Sequence, residues 1–196
     1  MIDKMICNSM EKRQKSLLYF LCLALFVFSC KENPKNTDVK QVLKQWTGKK
    51  LRFPHSIPCH ISGNETDSTL CNDIFKKKFK ILLYVDSMGC IDCRLKLYHW
   101  KRLIKESNRL FHERVGFLIY FQPKSLKEIE YILARDGFDY PVFIDMEGKI
   151  NNLNHFPKET QYQCFLLDKD NKVLIVGNPE MNPRIWELYK TMIDKN

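Results

Sequence analysis

The chain has 196 residues, 44% hydrophobic and 12% aromatic, with 32 Lys and Arg against 23 Asp and Glu and a net charge of +9. The composition excludes a wholly disordered chain, and the length suits one globular domain with a small addition. No apolar run reaches the roughly 18 to 20 residues of a spanning helix, which excludes a polytopic membrane protein.

The densest basic run, KKKFK at 76–80, adjoins an apolar strand and is typical of residues that oppose aggregation. Because no nucleic-acid-binding motif accompanies it, we expect no nucleic-acid partner.

The N-terminus has the layout of a secretory signal. The basic stretch EKRQK precedes the apolar run LLYFLCLALFVF, which ends at Ser29 and Cys30. VFSC resembles the bacterial lipoprotein box, although Phe28 is bulkier than the usual residue there. The resemblance implies that residues 1–29 are a signal peptide and that Cys30 is lipidated. The protein would then be held in the bacterial cell envelope, facing the periplasm or the outer surface. A short uncleaved anchor helix is the alternative.

Three segments follow the signal. Residues 30–48 are mostly polar and predict a tether that passes into a short amphipathic piece. Residues 49–74 lack periodicity and predict an irregular N-terminal extension with a strand at LRF (51–53). A disulfide between Cys59 and Cys71 would suit this extension, but spacing alone does not fix the pairing. Residues 75–196 carry the strongest secondary-structure signals and predict the main domain.

Strand and helix patterns alternate through that domain. A buried strand, FKILLYVDS, starts at Phe79, and a helix with a broad apolar face is predicted from Cys90 through Leu110. The sequence then predicts a second strand at 115–121, a helix that Gly137 ends, and a third strand, PVFID, from Pro141.

A loop at 146–160, a β-hairpin formed by YQCFLLD (162–168) and KVLIVG (172–177), and a helix from Pro183 to Lys195 complete the prediction. Strands joined through helices predict an α/β fold with a central mixed sheet covered by helices on both faces.

The cysteines give the chemical signal. Without Cys7, Cys22 and the lipidated Cys30, an odd number remains, namely Cys59, Cys71, Cys90, Cys93 and Cys164. Cys90 and Cys93, which two residues separate, follow the first buried strand and open the next predicted helix. Open α/β sheets usually place their chemistry at such a position. A helix N-terminus stabilises a thiolate at the first cysteine, which becomes the nucleophile, and the second can resolve a mixed disulfide.

A zinc site is the alternative use of these cysteines. Zinc needs two more ligands, and Cys59 and Cys71 do not form a second close pair. The five histidines also lack metal-ligand spacing. We therefore expect neither a metal nor another cofactor.

The segment KILLYVDSMGCIDCRLKLYHWKRLI resembles the active-site strand and helix of the thioredoxin-like superfamily, above all the membrane-tethered TlpA/ResA-like thiol-disulfide oxidoreductases related to AhpC/TSA proteins. YPVFIDMEGKI resembles the βα element inserted in that branch, and CFLLDKDNKVLIVG resembles its hairpin. The likeness covers roughly residues 75–195. It implies a thioredoxin-like fold, catalytic roles for Cys90 and Cys93, and protein thiols and disulfides of the envelope as partners.

Several positions depart from that family. Tyr162 stands where the family has a cis-proline, Gly89 where it usually has Trp, and Tyr84 where it has a buried acid, whereas Ser87 keeps the small polar residue that ends the strand. Asp92, between the two cysteines, disfavours a thiolate and makes the pair more reducing, unless it is an ordinary acidic residue of a first helical turn.

Three functions remain open. A lipid-anchored thiol-disulfide oxidoreductase, acting as a reductant, is favoured. A redox-inert binding or scaffold lipoprotein would fit the missing cis-proline. A peroxiredoxin-like peroxidase would fit Ser87, three residues before Cys90, although Leu83 replaces that family's proline.

Cys164 either approaches the active site on the strand face of Tyr162 or, as we favour, acts as a small buried hydrophobic residue.

Overall fold

A computed structural model describes the backbone of residues 34–66, 68–86 and 96–195, with side chains from Val39 onward except at 68–70. The signal peptide predicted at 1–29 and the lipidation predicted at Cys30 lie outside these residues. From Val42 onward the described chain forms one compact unit. Within the part that the structure describes, no helix has both the length and the apolar character needed to cross a membrane.

Seven strands and six α-helices are described. The strands are β1 (Cys59–Ile61), β2 (Asn64–Thr66), β3 (Phe79–Val85), β4 (Val115–Phe121), β5 (Val142–Ile144), β6 (Cys164–Leu167) and β7 (Val173–Val176). The helices are α1 (Pro34–Trp46), α2 (Ser68–Phe75), α3 (Leu97–Phe111), α4 (Leu126–Arg135), α5 (Lys149–Asn154) and α6 (Pro183–Asp194), and a 3₁₀ turn covers Thr160–Tyr162.

All seven strands form one mixed sheet in the order β2-β1-β5-β4-β3-β6-β7. β3 pairs in parallel with β4, and β4 with β5, whereas β6 runs antiparallel to β3 and β7 to β6. Every residue of β3 and of β4 is buried, which is the pattern of strands covered on both faces. The predicted mixed sheet with helices on both faces, an α/β fold, is therefore confirmed.

Two hydrophobic cores lie on opposite faces of the sheet. One holds the odd-numbered residues of β3 and β4 together with helices α3, α4 and α6. The other holds Leu82, Tyr84 and Leu118 with parts of α2, α5 and the chain from Val42 to Leu51. Helices α3 and α4 share one face because β3, β4 and β5 follow one another across the sheet and their crossovers have the same hand.

Local signals explain the helix ends. The Oγ of Ser125 accepts a hydrogen bond from the Glu128 N–H and begins α4. At α6, the Asn182 side chain accepts from the Arg184 N–H, and Pro183 occupies the first turn. Gly137, with φ +55°, follows α4 in a left-handed conformation that costs glycine little.

The N-terminal extension is more regular than its sequence predicts. β1 and β2 form a hairpin, β1 pairs with β5 at the edge of the sheet, and α2 follows. The strand expected at LRF (51–53) is wrong, since that segment has no strand and only Lys50 forms an isolated bridge, with Lys172. The hairpin escaped prediction because its strands are short and its polar outer strand gives no apolar alternation.

Two other details differ from expectation. The predicted loop 146–160 contains the short helix α5. Both carboxylate oxygens of Asp145 cap this helix by accepting hydrogen bonds from the N–H groups of Lys149 and Ile150. On α3 the buried face includes Phe111, whereas Leu110 is 36% exposed. A helix turns about 100° per residue, so neighbours at its end point to different faces.

Candidate active site at the carboxyl end of the central strand

The site that the sequence predicts lies between β3 and α3. The structure describes the chain up to Asp86 and again from Lys96, so Ser87, Gly89, Cys90, Asp92 and Cys93 lie outside the described residues. Chain length still bounds their position. Lys96 follows Cys93 by three positions and Cys90 follows Asp86 by four, which limits the Cα distances to about 11 Å and about 14 Å. The described residues around Asp86 and Lys96 are therefore the surroundings of the predicted site.

A cavity of about 140 Å³ opens at this edge of the sheet. Four separate parts of the chain contribute to it: the end of β3 at Val85, the start of α3 at Lys96, the turn before β6 at Gln163, and the loop after β7 at Glu180 and Met181. The carboxyl ends of strands in an open α/β sheet are the usual place for a site because the loops diverge there. The cavity thus adjoins both ends of the segment that carries the two cysteines.

Gln163 ties the turn before β6 to the end of β3. Its side-chain Nε2 donates to Asp86 Oδ2 at 3.0 Å and to the Pro157 carbonyl at 2.9 Å. Its backbone carbonyl accepts from the Tyr84 N–H at 2.9 Å. The Gln163 side chain is buried. Asp86, the last described residue before the cysteine segment, is therefore held in place by a contact that no local sequence pattern predicts.

A charged cluster stands on the other side of the cavity. Glu180 Oε1 lies 2.9 Å from Lys96 Nζ and 3.6 Å from His99 Nδ1. The Glu180 side chain is only 5% exposed, whereas those of Lys96 and His99 are about half exposed. The backbone N–H of Glu180 donates to Asn178 Oδ1 at 2.9 Å, which orders the loop. Sequence reasoning missed this cluster because Glu180 is more than 80 residues away from Lys96 and His99 in the chain.

Lys96 also marks a break in the predicted helix. Its backbone is left-handed, with φ 39° and ψ 48°, and α3 starts at the next residue. A left-handed residue cannot continue a right-handed helix, so the single helix expected from Cys90 through Leu110 is wrong at this point. Lys96 forms a bend in the backbone directly before α3, and Glu180 anchors the Lys96 side chain.

Tyr162, predicted at the position of the family's cis-proline, ends the 3₁₀ turn before β6 and is buried. No cis peptide bond occurs among the residues that the structure describes. Tyr162 packs in the core that contains Phe165, whereas Cys164 belongs to the opposite core. The shared face considered for Tyr162 and Cys164 is therefore wrong, because the turn breaks the two-residue alternation of the strand.

Cys164 is fully buried and unpaired. Its Sγ lies 3.8 Å from the hydroxyl of Tyr189, which donates to the Gly177 carbonyl at 2.8 Å. Burial raises the pKa of the Cys164 thiol to about 12. A thiol with that pKa is almost wholly protonated at neutral pH and is a poor nucleophile. The favoured interpretation as a small buried hydrophobic residue agrees with this environment.

Cys59 and Cys71 form a disulfide that joins β1 to α2, with Cα atoms 6.5 Å apart. Both residues are buried, at 3% and 1% exposure. The structure thus pairs the two cysteines that the sequence offered for a disulfide in the N-terminal extension. It cross-links the N-terminal extension beside the edge strand β2, and β5 and β4 lie between β1 and β3 in the sheet.

Two further features bear on the chemistry. Tyr84, at the position of the family's buried acid, is buried, and its hydroxyl donates to Gln122 Oε1 at 2.5 Å. The described residues contain no group of three or more His, Cys, Asp or Glu side chains arranged to hold a metal ion.

Comparisons with known proteins bear on the fold. No protein-family model matches the sequence, and no curated protein matches it. Peroxidoxin BcpB from Mycobacterium tuberculosis superposes with a TM-score of 0.54 at 16% identity, over 76% of this chain and 97% of its own. The fold is thioredoxin-like.

Two further solved structures superpose over almost all of their own length. The C-terminal domain of a protein from Bacteroides thetaiotaomicron, assigned as a thiol-disulfide oxidoreductase, has a TM-score of 0.52 at 17% identity, over 76% of this chain and 99% of its own. A protein from Chlorobium tepidum, assigned as thiol:disulfide interchange protein DsbE, has a TM-score of 0.53 at 16% identity. The superposition covers 75% of this chain and 98% of the other. At these identities the likeness concerns the fold, which thiol-disulfide and peroxide chemistries share.

Proposed function

We propose that the protein is a lipid-anchored thiol-disulfide oxidoreductase of the cell envelope that reduces disulfides of other proteins. One observation carries the proposal: the C-x-x-C pair lies in the chain directly between the end of β3 and the start of α3. β3 has a parallel neighbour, β4, on one side and an antiparallel neighbour, β6, on the other. The loops that follow the carboxyl ends of the strands diverge and leave room for a partner.

The chemistry is a two-step exchange. The Cys90 thiolate attacks one sulfur of a substrate disulfide, and the other substrate sulfur leaves as a thiolate and takes up a proton. The Cys93 thiolate then attacks the Cys90 sulfur of the mixed disulfide and releases the second substrate thiol. Two electrons pass to the substrate, and Cys90 and Cys93 end as a disulfide. A dithiol reductant of the envelope must restore the pair.

Asp92 favours the reducing direction. It stands between the two cysteines in the chain. Negative charge near a thiolate raises the pKa of the thiol and stabilises the disulfide relative to the dithiol. A pair whose disulfide is stabilised donates its electrons more readily.

The first test is a redox titration of residues 31–196 in graded thiol-disulfide buffers, with free thiols counted by mass tagging. Cys90 and Cys93 should titrate together as a two-electron couple between roughly −120 and −270 mV. Cys90→Ser and Cys93→Ser identify the couple, and Cys164→Ala serves as a control at a buried thiol. A bond that stays closed well below about −300 mV would instead support a redox-inert scaffold.

The envelope location rests on the signal and on VFSC. Lipid at Cys30 would hold the domain at a membrane surface and bring it close to disulfides of envelope proteins. Membrane fractionation of cells expressing the full chain and its Cys30→Ser variant tests this. The parent chain should fractionate with membranes and carry lipid, and the variant should lose the lipid. Equal behaviour of the two chains would contradict lipidation at this residue.

A peroxidase is the second candidate. The superposition with Peroxidoxin BcpB, together with Ser87 three residues before Cys90, favours it. Here the Cys90 thiolate would attack a peroxide, giving a sulfenic acid and an alcohol or water, and Cys93 would then condense with it to a disulfide and water. Consumption of hydrogen peroxide by the reduced protein, stoichiometric with loss of both thiols and absent in Cys90→Ser, would favour this function over disulfide reduction.

A further inference from the structure

We propose that a cavity on the sheet face opposite to α3 binds a small, uncharged, planar molecule whose carbonyl oxygen accepts a hydrogen bond from the Tyr120 hydroxyl. This inference goes beyond the proposed function and does not use the two cysteines of the C-x-x-C pair. Every residue on which it depends belongs to the described chain. No residue lines both this cavity and the cavity at the end of β3.

The cavity has a volume of about 580 Å³, which is within the range of small-molecule sites. It reaches Tyr120, near the end of β4, and Phe143 of β5, and both side chains are buried. Three other parts of the chain line it, namely residues 54–58, α2 at Phe75, and the turn before α5 at Glu147. The cavity therefore lies towards the carboxyl ends of two parallel strands, where open α/β sheets usually bind ligands.

Aromatic side chains give the cavity an apolar wall that ring packing holds in place. The Tyr120 and Phe143 rings are stacked, with centroids 4.6 Å apart and planes at 12°. Phe75 packs edge-on against Phe143, with centroids 5.7 Å apart and planes at 64°. A planar ligand extends such an arrangement by stacking or by an edge-to-face contact.

The Tyr120 hydroxyl supplies the second observation. Tyr120 is only 1% exposed, and its hydroxyl has no hydrogen-bond partner among the residues that the structure describes. Tyr84 and Tyr189 are buried to a similar extent, and their hydroxyls donate to Gln122 Oε1 and to the Gly177 carbonyl. A buried hydroxyl without a partner costs free energy. Because Tyr120 lines the cavity, a molecule bound there can supply the missing partner.

The charges around Tyr120 favour an uncharged ligand. Burial and the negative charge of Asp145 raise the pKa of the Tyr120 hydroxyl, which therefore stays a protonated donor at neutral pH. The same carboxylate repels an anion beside the hydroxyl. Both Asp145 oxygens already accept hydrogen bonds from the first turn of α5, which makes Asp145 a weaker partner for a cation. Lys149 and Glu147, which also line the cavity, pair at 3.3 Å and together add no net charge.

Acetophenone and α-methylstyrene are a matched pair of probes for this site. Both are flat and nearly equal in shape, but a CH₂ group in α-methylstyrene replaces the carbonyl oxygen. Each probe is titrated into the purified protein and into its Tyr120→Phe variant. Amide NMR shifts give the dissociation constant and the location of the bound probe. In the parent, the amides of cavity residues such as Phe75 and Phe143 should shift.

Tyr120→Phe should weaken the binding of acetophenone by about threefold to tenfold, the range expected for one neutral hydrogen bond. The variant should bind α-methylstyrene at least as tightly as the parent, because the hydrocarbon gives the Tyr120 hydroxyl no partner. A variant with a loosened cavity would instead lose affinity for both probes. The opposite responses of the two probes therefore distinguish a hydrogen bond from a change in packing.

Tyr189→Phe is the matched control. Tyr189 is a buried tyrosine of the opposite core, and its hydroxyl donates to the Gly177 carbonyl at 2.8 Å. This variant should keep both affinities and should have a lower Tm, since the Gly177 carbonyl loses its donor. Tyr120→Phe should lower the Tm less, because its hydroxyl has no partner to lose within the described chain.

Equal affinities of the parent and Tyr120→Phe for acetophenone would overturn the inference. Amide shifts confined to residues outside the cavity, or no saturable binding up to the solubility limit of either probe, would also overturn it. If Tyr120→Phe does not fold, nuclear Overhauser contacts between the acetophenone methyl group and the Tyr120 ring in the parent decide, and their absence overturns the inference. None of these results depends on Cys90 or Cys93, so the redox titration tests the proposed function separately.

Discussion

The two cysteine pairs of the molecule differ in their place in the chain and in the fold. Cys59 and Cys71 are buried between β1 and α2 at the edge of the sheet and are bonded to each other. Cys90 and Cys93 belong to a segment that joins a central strand to a helix, beside a cavity and next to half-exposed Lys96. Inaccessible sulfurs exchange slowly whatever their chemistry, because a thiolate has to reach the bond. The proposed function assigns the exchange to the pair that follows a central strand and a structural role to the pair buried between β1 and α2.

The largest effect should come from Cys90→Ser, which removes the attacking sulfur. Reduction of a protein disulfide, followed by the appearance of substrate thiols, should fall to the uncatalysed rate. Cys93→Ser should instead accumulate a mixed disulfide with the substrate, visible as a reducible adduct by mass spectrometry, because nothing resolves it. Full activity in Cys90→Ser would move the nucleophile elsewhere in the chain.

Removal of the structural disulfide should act on stability and spare the chemistry. A cross-link that closes a loop of about a dozen residues contributes about 3 kcal/mol in the loop-entropy description. Chemical denaturation of the Cys59→Ala/Cys71→Ala variant should show a loss of that order in the free energy of unfolding. Its rate of disulfide reduction under native conditions should match the parent. A lost exchange activity in a folded double variant would break the distinction between the two regions.

A third variant tests how the chain before β1 is held. The Asn154 side chain is buried, accepts from the Arg52 N–H at 2.9 Å, and donates to the Arg52 carbonyl at 2.7 Å and the Ile150 carbonyl at 2.9 Å. Asn154→Ala leaves these backbone groups without their partner, which costs about 1–3 kcal/mol. Thermal unfolding measures the loss. Asn152→Ala, at a neighbouring and more exposed position of α5, should have little effect.

Much of the fold follows from the sequence because the central elements carry strong signals. β3 and β4 are continuous apolar runs, and the hairpin of β6 and β7 has a polar turn between apolar strands. The edge hairpin β1–β2 was not predicted, since Asn64–Thr66 is polar and β1 is held by pairing with β5, which is far away in sequence. Short strands of this kind depend on tertiary contacts more than on their own pattern.

The candidate site divides in the same way. The C-x-x-C pair is visible in the sequence because its spacing and its place after a buried strand are local features. The Glu180–Lys96 pair and the Gln163–Asp86 contact join residues 84 and 77 positions apart. Neither spacing nor residue type marks them, and only the closing of the sheet brings them together. Tyr162 shows the converse, since its replacement of proline is plain from the sequence and its 3₁₀ conformation is not.

The smallest expected effect concerns pH and the edge hairpin. His60, on β1 beside Cys59, is buried, and its Nδ1 has no hydrogen-bond partner within the described chain. Desolvation by burial lowers the pKa of His60, opposed in part by Glu130 at 3.7 Å and by Glu65. The unfolded state therefore binds a proton at a pH where the folded state does not. This favours unfolding as the pH falls below the usual histidine range of about 6.5.

His60→Gln should remove that component of the pH dependence. Between roughly pH 7 and pH 5 the free energy of unfolding of the parent should fall more steeply than that of the variant, as measured by urea denaturation at each pH. His155→Gln, on an exposed histidine after α5, controls for the His→Gln change itself and should keep the parent slope. Parallel curves for His60→Gln and the parent would mean that the proton on His60 is bound equally in both states, and the hairpin would then not be acid-sensitive at this residue.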